Sequence, residues 1–293
     1  MSYMKQFLFE NYGYYPNAFE KNSFEMDNFR FCLLKTTLSD DELNKLNEFI
    51  IVLHNNFYNI GPHIIKDKYN NFISYDNGEK YMLICVYKKI MNMNDLKKFH
   101  ELFFSYEEYI DLNSILLVWK ERVNSIESNI SSYLKIGEGT YKDSIEKIMF
   151  LIGMAINAMQ YLSDIINDHG AKLYGVTLTH KRIKNFESFE FFNPLNFIVD
   201  TPCKDIALLY QNNMLTIEDL NKYLDSYRLD PINIKVLMAR ILYRCDVFDL
   251  LENRENMFKD NVFIVKKEIE KIKKAYSLLK SKYNIRPIDW LEN

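Results

Sequence analysis

The alternation of apolar and polar positions changes character near residue 90. Before it the chain reads as strands around one helix. Phe29 to Leu34 is a near-continuous apolar run, interrupted by Arg30 and ended by Lys35, which predicts a strand. Ser39-Asp40-Asp41-Glu42 has the form of a capping box, in which a hydroxyl and a carboxylate satisfy each other's orphan backbone N–H groups. Leu43, Leu46, Ile50, Leu53 and Phe57 follow at helical spacing, and Gly61-Pro62 stops that helix. Phe72–Tyr75, Asp76-Asn77-Gly78 and Lys80–Tyr87 predict a hairpin, because Asn-Gly supplies the positive φ of a type I′ turn. Beyond Ile90 the period is helical. Trp119, Val123, Ile126, Ile130 and Tyr133 mark one amphipathic helix, and Ile145, Ile148, Ile152, Ile156, Met159 and Leu162 a long second one. Residues 171–200 predict short strands and loops. Helices are expected around 205–227, 232–253 and 260–283, the last with a solvated charged face. The pattern predicts an α+β protein with a small β-rich lobe over 1–92 and a larger, mainly helical lobe over 93–293.

Composition narrows the chemistry. With 37 basic and 40 acidic residues among 293, the formal charge is −3, which argues against a nucleic-acid partner. The 48% hydrophobic and 26% charged fractions are those of a globular protein. Cys32, Cys85, Cys203 and Cys245 are scattered with no C-x-x-C pair, which gives no zinc motif and fits reduced thiols. The Ile148–Met159 run is too short to cross a bilayer and contains Gly153 and Asn157, and the first residues lack the regions of a signal peptide. A soluble, intracellular protein with no membrane partner is therefore expected. Of the eight glycines only Gly137 and Gly139 are closely spaced, with Glu138 between them. A carboxylate lines a phosphate cradle poorly, so this pair reads as a helix-to-helix turn, and neither a P-loop nor a dinucleotide fingerprint is present. His100 to Tyr109 crowds four aromatics into an acidic stretch, read as a helix flank packing its rings inward or, alternatively, as a docking patch. Trp290 reads as a pin for the last helix.

Several short motifs occur in an informative order: Trp119-Lys-Glu-Arg122-Val123, Gly153-Met-Ala-Ile-Asn157-Ala-Met-Gln160-Tyr161-Leu162-Ser-Asp164, Thr179-His180-Lys-Arg182, Asn193-Pro194, Val199-Asp200-Thr-Pro202-Cys-Lys-Asp205-Ile-Ala207, and Ala239-Arg240-Ile-Leu-Tyr with Phe248-Asp249-Leu250 after it. Together they resemble the YutH-type spore coat-associated proteins, near the CotS-like group, within the aminoglycoside and choline phosphotransferase-like (protein kinase-like) superfamily. The resemblance implies a two-lobed kinase-like fold. It also implies a bacterial, sporulation-linked role, made in the cytoplasm of the mother cell and deposited in the spore coat.

Active members of that superfamily carry a histidine–glycine–aspartate motif, an asparagine five residues beyond the aspartate, and a later metal-binding aspartate. The first aspartate takes the substrate proton and the other two residues hold Mg²⁺. Matching His180 to the histidine puts Lys181 at the glycine, Arg182 at the base and Glu187 at the asparagine; Asp200, 18 residues past Arg182, matches the metal aspartate. Asp205 matches a later aspartate that braces a helix. The competing frame His169-Gly170-Ala171 supplies no base either. A guanidinium cannot deprotonate a hydroxyl at physiological pH, and the missing general base typically accounts for roughly 10²–10⁴-fold in rate. His180 and Arg182 then read as loop residues bonded to backbone carbonyls or to Asp200. Lys35 is a weak candidate for the lysine that holds nucleotide phosphates, because the helix after it offers no ion-pair partner: Glu48 faces away from the apolar stripe and Glu42 is engaged in the cap. No glycine occurs between Tyr14 and Arg30 to form a phosphate-covering loop. The resemblance and the degraded site imply a pseudokinase without cofactor, acting through protein partners such as coat proteins. The alternatives are a small-molecule phosphotransferase with an unusual site, which alone would call for ATP and Mg²⁺ at Asp200, and a metal-independent nucleotide or anion binder using Lys35, Lys181 and Arg182.

Overall fold

The computed structural model describes residues 3–58, 60–134, 142–227, 229–252 and 265–292. Chain order begins α1 (Tyr3–Tyr12), β1 (Ser23–Met26), β2 (Phe29–Thr36), α2 (Asp40–Asn56), β3 (His63–Ile65), β4 (Ser74–Asp76), β5 (Glu79–Tyr87) and α3 (Met93–Leu102). It continues with β6 (Ser105–Asp111), α4 (Leu112–Leu134), α5 (Lys142–His169), β7 (Lys172–His180), α6 (Ser188–Phe192) and β8 (Phe197–Asp200). The remaining elements are α7 (Cys203–Gln211), α8 (Ile217–Ser226), α9 (Pro231–Leu242), α10 (Cys245–Leu251), α11 (Val265–Lys282) and α12 (Asp289–Glu292). The chain forms two units, Met1–Leu102 with Asn185–Phe197 and Phe103–Lys184 with Ile198–Asn293. The first unit thus runs past residue 92 to include α3 and also takes in α6, which the pattern alone groups with the helical part.

In the first unit an antiparallel sheet runs β1-β2-β5-β3, with β4 also paired to β5. Alternation on β2 sends Phe31 and Leu33 into a cluster with Phe7, Leu8, Phe24, Leu83 and Cys85. Phe24 and Phe31 stack with centroids 4.8 Å apart. Helix α1, which the sequence pattern did not anticipate, closes this cluster by burying Phe7, Leu8 and Tyr12. The Ser39–Glu42 capping box is formed at the start of α2. The β4–β5 turn uses Asn77 at φ 47° and Gly78 at φ 80°, the left-handed pair that a type I′ turn requires. Gly61 allows a close approach more than it stops a helix: a Cβ there would lie 2.7 Å from the Cα of His54.

The second unit has a three-stranded sheet ordered β6-β7-β8, with β6 at an edge and a bulge between Ser105 and Tyr109. The stretch read as a helix flank is therefore mostly strand: Tyr106 and Tyr109 stand exposed on β6, and only its first residues belong to α3. Two expected helices are each divided. Asn213 at φ 60° ends the α7 segment, and a Thr216–Asp219 capping box opens α8. Tyr243 ends α9 before α10 restarts at Cys245. Helix α5 packs against α4 and α9. Its segment Ile145–His169 is, by length and composition only, apolar enough to cross a membrane, which corrects the estimate from the shorter Ile148–Met159 run; half of its most apolar window is buried inside the protein. The Gly137-Glu138-Gly139 turn lies outside the described residues.

Candidate functional site

Strands β7 and β8 deliver the site residues of the second unit to one place. Thr179 donates from Oγ1 to the Ile198 carbonyl at 3.0 Å, fastening the end of β7 to β8. His180 is the last residue of β7 rather than a loop residue, and it is fully buried. Its backbone N–H donates to Oδ1 of Asp205 at 2.9 Å, and its Nδ1 lies 2.6 Å from Oδ2 of the same carboxylate. Asp205 sits in the first turn of α7, where a carboxylate also suits the positive end of the helix. One buried aspartate thus ties a strand end to a helix start.

Asp200 closes β8 and is itself buried. Its Oδ1 accepts from the Thr201 N–H at 2.7 Å. A single amino group of Arg240, Nη2, donates to both carboxylate oxygens at 2.7 and 2.9 Å, and the Lys204 ammonium stands 3.8 Å away. Burial holds the Lys204 amine below its ordinary range, opposed by attraction to Asp200 and reinforced by the neighbouring Arg240. Arg240 is placed by the C-terminal end of α9, whose carbonyls at Arg240, Ile241 and Tyr243 accept from Nε2 of Gln211 at 2.7, 3.3 and 2.9 Å.

Arg182 lies in a second charge cluster. Its Nε is 3.0 Å from Oδ2 of Asp249, and Nη2 is 3.8 Å from Glu252. Arg122 of α4 holds the other oxygen of Asp249 and one oxygen of Glu252, both at 2.6 Å. An aromatic stack fixes the geometry beneath it: Trp119 stacks on Tyr243 at 4.2 Å and Tyr243 on Phe248 at 4.8 Å. Arg122 is one helical turn from Trp119, so the buried indole aims the guanidinium.

Between the two clusters lies a cavity of about 310 Å³, lined on its charged side by Arg122, Lys181, Arg182, Asp200, Lys204, Arg240 and Asp249. Ile115, Val118, Trp119, Ile198 and Leu208 form its apolar wall. Burial pushes the Cys245 thiol at its edge up to about 11, so it offers no thiolate near neutral pH. Among the described residues, no group of three or more histidine, cysteine, aspartate and glutamate side chains is arranged to hold a metal.

The other candidates lie in the first unit or outside the cavity. Lys35 is exposed at the end of β2 and pairs with Glu79 of β5. Glu187 precedes α6 and lies 3.8 Å from Arg30. His169, of the competing frame, contacts Lys235 at 2.7 Å. Sequence reasoning gave no role to Arg122, Lys204, Arg240 or Asp249. All four stand inside the short motifs quoted above, but the contacts that make them partners bridge 40 residues for Asp200–Arg240 and 127 for Arg122–Asp249.

Residues 5–282 match the family model described as "Spore coat putative kinase YutH". Among solved structures, the chain is similar to an aminoglycoside phosphotransferase from Alicyclobacillus acidocaldarius, with a TM-score of 0.53, 10% identity, and coverage of 90% of this chain and 92% of that one. It is also similar to a spectinomycin phosphotransferase solved with ADP and spectinomycin, with a TM-score of 0.55, 12% identity, and coverage of 95% and 97%. No curated protein matches the chain. At these identities the likeness establishes the kinase-like fold: an N-terminal antiparallel sheet followed by a larger helical part.

Proposed function

The chain belongs to the YutH family of kinase-like spore coat proteins, and from that premise we propose that it is a pseudokinase acting as a coat-associated or assembly protein through contacts with other proteins. The observation that carries this reading is the Asp200 carboxylate, bonded on both oxygens by one Arg240 amino group with Lys204 beside it. Two unit charges 4 Å apart at an effective dielectric of 20 interact by about 4 kcal/mol. A divalent cation at Asp200 would meet about twice that repulsion from the guanidinium, which offsets its attraction to the carboxylate, so these residues do not fit Mg²⁺. Arg182, at the position matched to the catalytic base, is a permanent cation committed to Asp249. Lys35, committed to Glu79 at the surface, supports the same reading. Synthesis in the mother-cell cytoplasm, followed by deposition in the coat, belongs to this proposal.

The test is nucleotide binding and phosphotransfer by the purified chain. ATP at a hundred times a dissociation constant would stabilise a binding protein by ~2.7 kcal/mol. The expected result is no melting shift with ATP and Mg²⁺, and no label transferred from ATP to small alcohols or proteins. Phosphotransfer that disappears in Asp200→Asn would overturn the proposal in favour of a phosphotransferase with an unusual site. A second reading, an anion binder that needs no metal, is favoured by the cations at the base of the cavity.

A further inference from the structure

The loop between β3 and β4 lines a separate cavity that lies within the first unit. Asp67 organises that loop. Its Oδ1 accepts from the backbone N–H groups of Tyr69 and Asn71 at 2.8 Å each, and its Oδ2 from Nδ2 of Asn71 at 3.3 Å and Oγ of Ser74 at 3.4 Å. The Asn70 N–H returns to the Asp67 carbonyl at 3.0 Å, with Asn70 at φ 68°, a left-handed backbone that asparagine tolerates. The Lys68 N–H donates to the Asn11 carbonyl at 2.8 Å and ties the loop to the end of α1. A loop held in this way has little ordering left to do when a ligand arrives.

The cavity measures about 620 Å³, inside the range of about 300–1,000 Å³ for small-molecule sites, but its lining is unusually polar. Asn11, Asn44, Asn70 and Asn71 bring four carboxamides to it, and the last three residues are exposed. Among the described residues, the side chains of Asn44 and Asn70 have no hydrogen-bond partner. Three rings stand with them: Phe72, and Tyr69 and Tyr75, which are 77% and 62% exposed. Among the described residues on the lining only Asp67 is charged, and its carboxylate is engaged by the four donors above. Lys66 and Lys68 of the same loop stand over the rings of Phe72 and Phe9 at 4.9 and 5.0 Å. An anion would therefore meet a carboxylate and no cation on the lining. Polyhydroxylated rings suit this chemistry. A hydroxyl both donates and accepts, and a carboxamide sets donors beside an acceptor, so neighbouring hydroxyls pair with one asparagine. The C–H face of a sugar ring is apolar and lies flat on a tyrosine, whose phenol tip stays in water.

We infer that this cavity binds a neutral carbohydrate, with its hydroxyls on the carboxamides of Asn44, Asn70 and Asn71 and a ring face against Tyr69 or Tyr75. None of these residues lines the Asp200 cavity, so the inference stands or falls apart from the pseudokinase reading.

The test titrates the full chain with maltose, cellobiose and N,N′-diacetylchitobiose, and in parallel with glucose 6-phosphate, putrescine and trialanine, followed by calorimetry or amide chemical shifts. At least one disaccharide is expected to saturate below about 10 mM and to bind at least tenfold more tightly than the anion, the diamine or the peptide. Three variants locate the site. Asn44→Ala removes a carboxamide from an exposed helical position that suits alanine. Asn70→Gly removes another and keeps the left-handed backbone. Tyr69→Ala removes an exposed ring. Each is expected to weaken the bound disaccharide at least tenfold while the far-ultraviolet spectrum is retained. Tyr58→Ala, which removes an 81% exposed ring outside the cavity, is expected to leave the affinity unchanged. No saturation by any of the disaccharides at about 10 mM, equal or tighter binding of a comparison compound, unchanged affinity in all three cavity variants, or an equal loss in Tyr58→Ala would each overturn the assignment.

Discussion

The pairs Asp200–Arg240 and Glu79–Lys35, one in each unit, differ in almost every physical respect. In the second unit the pair is buried, with side chains 9% and 7% exposed, and one partner bonds both oxygens of the other. In the first unit the Lys35 and Glu79 side chains are 58% and 43% exposed and joined by a single contact. Surface pairs of that kind are screened by water and salt and contribute little, whereas removing one partner of a buried pair strands a charge at about 3–5 kcal/mol. One pair is built into the core of its unit, and the other stands in solvent.

The comparison breaks first if Arg240→Met is mild. It is expected to lower unfolding free energy by about 3–5 kcal/mol in urea denaturation, with most of that recovered when Asp200→Asn is added, because the double change removes the stranded carboxylate. Asp205→Ala is expected to follow at about 2–4 kcal/mol, since it orphans both the His180 N–H and the ring in a fully buried setting. A milder, pH-dependent effect belongs to the first unit. Burial, and then the neighbouring His54, hold His63 below its ordinary 6.5, with the two rings 4.1 Å apart. The unfolded chain therefore takes up the proton first. The corresponding stability is complete above pH 6.5 and is lost as pH falls through 6.5 toward the lower folded value. Melting curves of wild type should drop more steeply between pH 7 and 5 than those of His63→Gln; parallel curves would remove His63 from the account. The smallest effect is expected of Lys35→Met, whose melting temperature should match wild type. A drop as large as that of Arg240→Met would erase the distinction between the two pairs.

Legibility in the sequence followed contact range. The Ser39–Glu42 box and the Asn77-Gly78 turn were readable because each is closed within four residues by intrinsic backbone preference. The helical stripe through Trp119 was readable from period alone. Helix α1 was missed because it has neither acidic residues in its first turn nor basic ones in its last, and its buried positions acquire meaning only against Phe24 and Phe31. The breaks at Asn213 and Tyr243 were hidden because apolar residues continue on both sides of them. Aromatic and acidic residues on β6 imitate a helix flank, and only pairing with β7 reveals the strand. At the site, the resemblance singled out Asp200 and Asp205, but their partners Arg240 and His180 are chosen by tertiary folding across 40 and 25 residues.

Strand β6 carries a consequence of its own. An uncovered strand margin is a template on which further chains can add without limit, and crowding makes that hazard worse. Here the bulge after Ser105 puts the backbone out of step, with the Glu107 and Glu108 N–H groups turned back onto the Ser105 hydroxyl. Two such margins laid antiparallel would also set glutamate against glutamate. An edge blunted in this way gives the backbone of a second chain little to pair with.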